Sequence, residues 1–378
     1  TYEVGKAFSM EGVTVTRGAR PAEGEAMLEV GRGATLTLTG DGSSQIPAPL
    51  TVSGNGVLEL KGKDVIGWNP STAQLRNTRV IAREQGIVRN PSEQVESVRC
   101  TYEMGGASRL EVGKVKETDT GAYSAGFTLC RGARLIATDG AAGIYGLAGV
   151  EGAAIALRCT ETGSGIAGEY TFVEFEVRPE ATFTVDVPLR HYDNGNYSDF
   201  PVRKTGAGTL VLTKPNPAAG NPLHVEAGTV RLAGGATWED TVSLKGTLEV
   251  AGAATVAALA LDEGATLNLA SGSLAVTGAV TLAKGVEAVP VMLAEGAKAG
   301  DVVLACTEPT AEVAAALKAE GFTVAAVAET GYVLTSAEPT PKNPEAFDAT
   351  TLAQLRKDAA AGGLTDGFAV EVHDPKAV

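Results

Sequence analysis

The residue types best suited to chemistry are concentrated between Pro188 and Pro201, in the stretch P-L-R-H-Y-D-N-G-N-Y-S-D-F-P. Aromatic rings beside carboxylates suit the stacking of a sugar ring and hydrogen bonding to its hydroxyl groups. The stretch therefore predicts a ligand-binding loop. Its candidate residues are His191, Tyr192, Asp193, Tyr197 and Asp199, and Trp68 from another polar insertion joins this set.

Calcium is the metal that this loop could hold, because Asp193, Asn196 and Asp199 supply oxygen ligands. Their spacing is not that of an EF-hand loop, and D-N-G-N is also ordinary turn chemistry. A tyrosine beside a repeat can simply cover the neighbouring unit. We expect no cofactor, with calcium as the alternative, and no Cys/His spacing in the chain indicates zinc.

Catalysis on a polysaccharide would need paired carboxylates, or a calcium site with a basic side chain, on one face of the protein. The acidic residues at alternating strand positions, such as Glu59, Glu111 and Glu249, are scattered singly. None of the three histidines has a serine or cysteine partner in a nucleophile motif. The sequence predicts a protein without catalysis. The alternative is a carbohydrate-active protein that uses Asp193, Asp199 and Arg190.

A repeated strand pattern must position these residues, and its clearest copy runs from Lys204 to Gly235. Each half of this copy is a glycine followed by alternating apolar and polar residues, which indicates a half-buried strand. Similar copies recur about every 18 to 28 residues, with a degenerate copy expected near Val80. The first inward residues of the copies are Leu36, Leu58, Leu110, Leu135, Ile155, Phe183, Leu210, Val230, Leu248 and Leu267.

Strands that recur in one register behind Gly-Ala turns favour a parallel β-helix, in which stacked coils bury columns of Leu, Val and Ile. Helical repeats fit less well, because long segments with a 3.6-residue period are missing before Ala311. An antiparallel sandwich array is the remaining alternative. The fold class expected is all-β.

The pair T-G-A-G-T-L-V-L-T (205 to 213) and V-E-A-G-T-V-R-L (225 to 232) resembles the autotransporter-associated β-strand repeat. The likeness is close over about 30 residues and loose elsewhere, where only Gly-x-Leu-x-Leu is kept. The resemblance implies a secreted, right-handed parallel β-helix of a bacterium, used as a stalk or adhesive scaffold. An extracellular or cell-surface location is expected on the same ground.

Composition limits the partners. The chain has 378 residues, 47 of them Gly, and only 5% are aromatic, which is typical of a repeat protein with many turns. Its formal net charge of -14 argues against binding nucleic acid by bulk electrostatics. No apolar run approaches the roughly 20 residues needed to cross a bilayer, so no membrane insertion is expected. Glycans or other surface proteins are the expected partners.

The cysteines Cys100, Cys130 and Cys159 are separated by 30 and 29 residues, close to one coil each. This spacing allows a disulfide between neighbouring coils in an oxidising compartment. The alternative is that they are small apolar side chains of the core.

The chain divides by pattern into four parts. Residues 1–285 are expected to form the β-helix with an N-terminal cap coil, and 286–337 a C-terminal cap with a helix from Glu312 to Glu320 closed by Gly321. Residues 338–344 form a Pro-rich linker. Residues 345–378, with one helical stretch and one strand, are a tail or the start of a further domain. A head-to-tail self-association through this tail is a hypothesis.

Overall fold

The computed structural model is strand-rich, and its only helix in the described residues has six residues. The structure describes these ranges of the chain: 3–4, 8–11, 28–30, 34–41, 50–52, 56–64, 73–76, 79–90, 95–98, 100–114, 116–117, 123–124, 127–130, 132–158, 172–191 and 201–336.

Apart from two strands of 15 and 11 residues between positions 247 and 276, the strands have two to eight residues. Up to residue 124 they are β1 (Glu3–Val4), β2 (Phe8–Glu11), β3 (Leu28–Val30), β4 (Thr35–Asp41), β5 (Leu50–Val52), β6 (Val57–Asp64), β7 (Ala73–Arg76), β8 (Arg79–Ala82), β9 (Ile87–Asn90), β10 (Val95–Val98), β11 (Thr101–Met104), β12 (Arg109–Val112), β13 (Lys116–Glu117) and β14 (Tyr123–Ser124). The next are β15 (Phe127–Cys130), β16 (Arg134–Ala137), β17 (Ala141–Gly146), β18 (Ile155–Arg158), β19 (Val173–Val177), β20 (Thr182–Asp186), β21 (Leu189–His191), β22 (Val202–Thr205), β23 (Thr209–Leu212), β24 (Pro215–Asn216) and β25 (Leu223–Val225). The last elements are β26 (Thr229–Ala233), β27 (Thr237–Leu244), β28 (Thr247–Leu261), β29 (Thr266–Val276), β30 (Val280–Leu282), β31 (Val289–Met292), β32 (Val302–Ala305), α1 (Ala311–Ala316), β33 (Leu317–Ala319), β34 (Phe322–Val327) and β35 (Gly331–Ser336).

Nearly all of these strands belong to three parallel ladders. Ladder A joins β1, β3, β5, β8, β11, β16, β19, β22, β25, parts of β27 and β28, and β30. Ladder B joins β2, β4, β6, β9, β12, β17, β20, β23, β26, parts of β28 and β29, β31 and β33. Ladder C joins β7, β10, β15, β18 and β21, and resumes with β24, parts of β27, β28 and β29, and β32.

The chain visits the ladders in a constant order. From β7 to β26 the order is C, A, B, repeated, and the small antiparallel hairpin of β13 and β14 is inserted between two visits. The long strand β28 contributes to all three ladders, pairing with β26 at its start, with β27 further along, and with β30 at its end. One passage through the three ladders is called a coil below.

The predicted column of inward residues is correct in the second half of the chain. Leu210, Val230, Leu248 and Leu267 lie opposite one another on ladder B, and all are buried. Leu36 and Leu58 are likewise paired on this ladder.

The prediction that these residues form one column is wrong between residues 58 and 183. Leu135 lies on ladder A and Ile155 on ladder C, whereas the partners of Leu110 on ladder B are Val88 and Ile144. Val80, near which a missing copy was expected, lies on ladder A. Every ladder buries alternate side chains, so an alternating pattern does not identify the ladder to which a strand belongs.

The core lies between the ladders and consists of columns of apolar side chains. On ladder A the inward side chains of Tyr102, Leu135, Phe175 and Val225 are all buried. The ring of Tyr102 meets that of Phe127 from ladder C edge-on, with centroids 5.7 Å apart. The core is therefore filled across ladders as well as along them.

The C-terminal cap makes the sheet mixed. Strand β32 pairs antiparallel with β35, and β33 pairs antiparallel with β34. Thr310 caps the helix α1, because its Oγ1 accepts a hydrogen bond from Val313 N at 3.3 Å. The helix ends at Ala316 and not at the predicted Glu320, because Leu317–Ala319 pairs in parallel with Val289–Val291 and extends ladder B.

Two compact units divide the chain at residue 335. The predicted linker 338–344 and the tail 345–378 lie outside the described residues, so the self-association hypothesis stays a prediction. In the described part of the chain, no helix is long and apolar enough to cross a membrane.

Candidate functional site

Ladder C is interrupted between β21 and β24, next to the loop that was predicted to bind a ligand. In place of a strand pair, His191 N donates a hydrogen bond to Pro217 O at 3.1 Å. Leu189 N donates to the side-chain Oδ1 of Asn216 at 2.9 Å. The Asn216 amide thus replaces a backbone carbonyl at the break in the ladder.

His191 is the one predicted ligand-binding residue that the structure describes. Its side chain is half-buried, and its Nδ1 lies 2.7 Å from Oδ1 of Asn221. Asn221 Oδ1 is an acceptor only, so this contact places a proton on Nδ1. The other predicted residues, Trp68, Tyr192, Asp193, Tyr197 and Asp199, together with the calcium candidate Asn196, lie outside the described residues.

The residues on both sides of 192–200 contact the same following stretch of chain. His191 contacts Pro217 and Asn221, and Val202 N donates a hydrogen bond to Pro222 O at 2.9 Å. Arg190, the basic candidate for catalysis, is half-buried in β21 and lies opposite Ala156 of the preceding coil. The described ends of the predicted loop are therefore positioned by residues 217–222.

A buried polar network supports this stretch. Asn221 is fully buried, and its backbone carbonyl accepts a hydrogen bond from Trp238 Nε1 at 3.1 Å. Asn216 is also buried, and its Nδ2 donates to Lys214 O at 2.7 Å and to Thr237 O at 3.0 Å. Each buried amide therefore has hydrogen-bond partners, which makes its burial tolerable.

Lys204, three residues after Pro201, is fully buried although its side chain is charged. Its Nζ donates hydrogen bonds to the carbonyl oxygens of Thr205 at 2.9 Å, Gly206 at 2.7 Å and Ala227 at 2.9 Å. Burial lowers the pKa of this ammonium group from 10.5 to about 8, so it is charged at neutral pH.

Outward carboxylates on the ladders form ion pairs between neighbouring coils. Arg89 Nε lies 2.7 Å from Glu111 Oε2 on ladder B. On ladder A, Arg134 contacts Glu174 at 2.8 Å and Glu176 at 2.9 Å. Further pairs of the same kind are Lys214 with Asp186 at 3.2 Å and Arg231 with Glu249 at 3.3 Å. These carboxylates have structural partners in the adjacent coil.

The predicted disulfide stays a prediction. Cys100 and Cys130 are buried. Cys100 directly precedes β11 of ladder A, and Cys130 is the last residue of β15 of ladder C. Cys159 lies outside the described residues. Among the described residues no cluster of three His, Cys, Asp or Glu side chains could hold a metal ion.

The sequence reasoning missed Lys204, Asn216, Asn221 and Trp238. Lys204 stands two residues after Val202, so the alternation of the strand places both side chains on the inward face. A lysine at an inward position was the signal of a buried cation. The two asparagines stand in a Pro/Asn-rich turn, where exposed turn chemistry is the usual interpretation. Nothing in the sequence alone indicated that their amides point inward.

Comparisons of this chain with protein-family models, with curated proteins and with solved structures each found no match.

Proposed function

We propose that the protein is a non-catalytic, secreted scaffold of a bacterial cell surface, built as a right-handed parallel β-helix and acting as a stalk, adhesin or assembly subunit. The strands 209–212 and 229–232, which resemble the autotransporter-associated repeat, support this proposal because they are neighbours in one ladder. Thr209 lies opposite Thr229, and Leu210 lies opposite Val230. The two halves of the repeat thus occupy successive coils.

The constant order of the three ladders supports the β-helix. A chain that returns to each ladder one strand further on, always in parallel, has the connectivity of a coil with three faces. Crossover connections between parallel strands of one sheet are almost always right-handed, which favours a right-handed coil.

A cysteine-pair experiment tests this stacking. Arg231 and Glu249 lie directly opposite each other on neighbouring strands, at a Cα separation of about 4.8 Å, which a disulfide can bridge. We expect Arg231→Cys/Glu249→Cys to form the bridge on mild oxidation, as identified by mass spectrometry of peptides. The control Arg231→Cys/Asn268→Cys spans two strands, about 10 Å, and should not cross-link. Equal cross-linking of both pairs would contradict the register.

The observation that best supports a scaffold is that outward carboxylates form ion pairs between neighbouring coils. Glu174 and Glu176 stand two residues apart on one face, a spacing that a paired acid and base could also have. Both contact Arg134 of the preceding coil, and Glu176 also contacts Arg178 at 3.5 Å. Each of these carboxylates binds an arginine of the preceding coil, so the contacts tie two coils together, which supports a structural role.

A panel of immobilised polysaccharides tests the function. The wild type and the double variant Asp193→Ala/Asp199→Ala are incubated with each glycan, and binding and released products are measured separately. We expect no cleavage products with either protein. Binding that the double variant loses would identify the scaffold as an adhesin. Cleavage by the wild type that the double variant lacks would replace the scaffold with a carbohydrate-active enzyme.

A further inference from the structure

We propose that the carbonyl oxygens of Thr205, Gly206 and Ala227 form a binding site for a primary ammonium group, which the side chain of Lys204 fills. The three oxygens lie 2.9, 2.7 and 2.9 Å from Lys204 Nζ. Two come from the coil of Lys204 and one from the next coil. The site therefore ties two coils together where the chain passes from ladder A to ladder B. This short connection is called the corner between ladders A and B.

The number of acceptors matches the chemistry of a primary ammonium group. An –NH₃⁺ group has three N–H donors and no acceptor, and each donor here has one carbonyl oxygen within hydrogen-bond distance. A quaternary ammonium group has no donor, and an alcohol has only one. The site is therefore selective for primary ammonium over groups of similar length.

The carbonyls converge because the corner is very tight. Gly228 packs on the preceding coil so closely that an added Cβ would lie 2.4 Å from Gly206 O. This contact brings the backbone around Ala227 next to that of residues 205–206. The oxygen cage is thus a consequence of stacking backbone on backbone at this corner.

The position of Lys204 in the core explains why the stem of the side chain is also held. Lys204 lies opposite Phe175 of the preceding coil and opposite Val225 of the following one. Both neighbours are buried. The methylene groups of the lysine continue the apolar column, while only the terminal nitrogen reaches the polar corner.

A rescue experiment tests the site, because Lys204→Ala removes the equivalent of n-propylammonium. The melting temperature of the full-length variant is measured against added n-propylammonium at constant ionic strength. We expect it to rise with concentration, as for any ligand that binds only the folded state. 1-Propanol and trimethylpropylammonium should give no such rise. No rescue, or equal rescue by 1-propanol, would overturn the proposal.

Lys245→Ala is the matched control variant. Lys245 is an exposed lysine whose ammonium contacts two carboxylates, Glu226 at 3.4 Å and Asp262 at 4.0 Å. Its removal opens no buried site, so n-propylammonium should leave the melting temperature of this variant unchanged. An equal rise in Lys245→Ala would mean a general solvent effect and would overturn the assignment.

A measurement on the wild type keeps the test independent of how well the alanine variant folds. With ¹⁵N-labelled lysine, a buried –NH₃⁺ group should give an NMR signal that exchanges slowly with water at pH 7. We expect this signal to be present in the wild type and in Lys245→Ala and to be lost in Lys204→Arg, which keeps the charge but not the primary ammonium. Absence of a slowly exchanging signal in the wild type would overturn the proposal.

Discussion

The tight corner between ladders A and B is expected to reject even one methyl group at Gly228. This glycine has a φ of +69°, and an added Cβ would lie 2.4 Å from Gly206 O and 2.6 Å from Gly208 O. Both oxygens belong to backbone, which cannot rotate away as a side chain can. Gly228→Ala therefore combines two costs, the left-handed backbone and a clash with the preceding coil.

Two other glycines separate these costs. Gly235 has a φ of +81° and no atom within 4 Å of an added Cβ, so Gly235→Ala measures backbone strain alone. Gly246 is not among the residues with positive φ, yet its added Cβ would lie 2.4 Å from Gly228 O, so Gly246→Ala measures the clash alone.

The expected magnitudes follow from these two effects. A left-handed conformation costs a non-glycine residue about 1–2 kcal/mol. Overpacking costs about 1–3 kcal/mol. We expect Gly235→Ala and Gly246→Ala to fall in these two ranges, and Gly228→Ala to lower the free energy of unfolding by about 2–5 kcal/mol.

Urea denaturation of the three variants and the wild type, followed by far-UV circular dichroism and tryptophan fluorescence, provides the comparison. The midpoints are compared at an unchanged slope, since a changed slope would mean a changed unfolding reaction. The reasoning is refuted if Gly228→Ala is no less stable than Gly235→Ala, because the stacked corner would then have room for a side chain.

Four further predictions concern the buried network, the charges and pH. Asn216→Ala removes one accepted and two donated backbone hydrogen bonds and should lower the free energy of unfolding by about 3 kcal/mol, measured in urea. Trp238→Phe keeps most of the packing but removes the indole N–H that donates to the Asn221 carbonyl, so a loss of about 1–3 kcal/mol is expected, and no loss would mean that the indole contact is dispensable. Glu111→Gln breaks the ion pair with Arg89, in which the glutamate is 16% exposed. It should lower the free energy of unfolding by less than about 1 kcal/mol, and removing the other ion pairs of the ladder should not change this value. Lys204 binds a proton less tightly in the folded protein than in the unfolded chain, because burial lowers its pKa from 10.5 to about 8. The free energy of unfolding of the wild type, relative to that of Lys204→Met, should therefore be constant below pH 8 and rise by about 3 kcal/mol between pH 8 and 10.5. A fall with pH in that window would contradict the lowered pKa.

Much of the fold could be predicted from the sequence where coils are short. Between residues 205 and 285, each glycine and its alternating apolar residues recur at nearly constant steps, and the predicted column from Leu210 to Leu267 is correct. Earlier in the chain the coils lengthen to 41 residues, from Ile144 to Val185 on ladder B. There the strands of all three ladders share one alternating pattern, so their assignment to ladders needs the structure.

The candidate site was only partly accessible to sequence reasoning. The loop 188–201 stood out because its residue types do not belong to the repeat. The network that positions its described ends did not stand out, because burial of Asn216, Asn221 and Lys204 depends on where the next coil lies. A polar side chain in a turn is usually solvated, and its burial is favourable here because hydrogen-bond partners, several of them from a neighbouring coil, satisfy its polar atoms.

The three corners of the coil differ in what they can accommodate, and this difference determines where a function can be added. From ladder A to ladder B the chain needs only three or four residues, as at 83–86, 138–140 and 206–208. An added Cβ at Gly206 would lie 2.2 Å from Val177 O, so this corner stacks backbone directly on backbone. From ladder C to ladder A, by contrast, the length varies, from two residues at 77–78 and 99–100 to ten at 192–201. Insertions are therefore tolerated where ladder C ends, and the predicted binding loop lies at a corner where the stacking does not restrict its length.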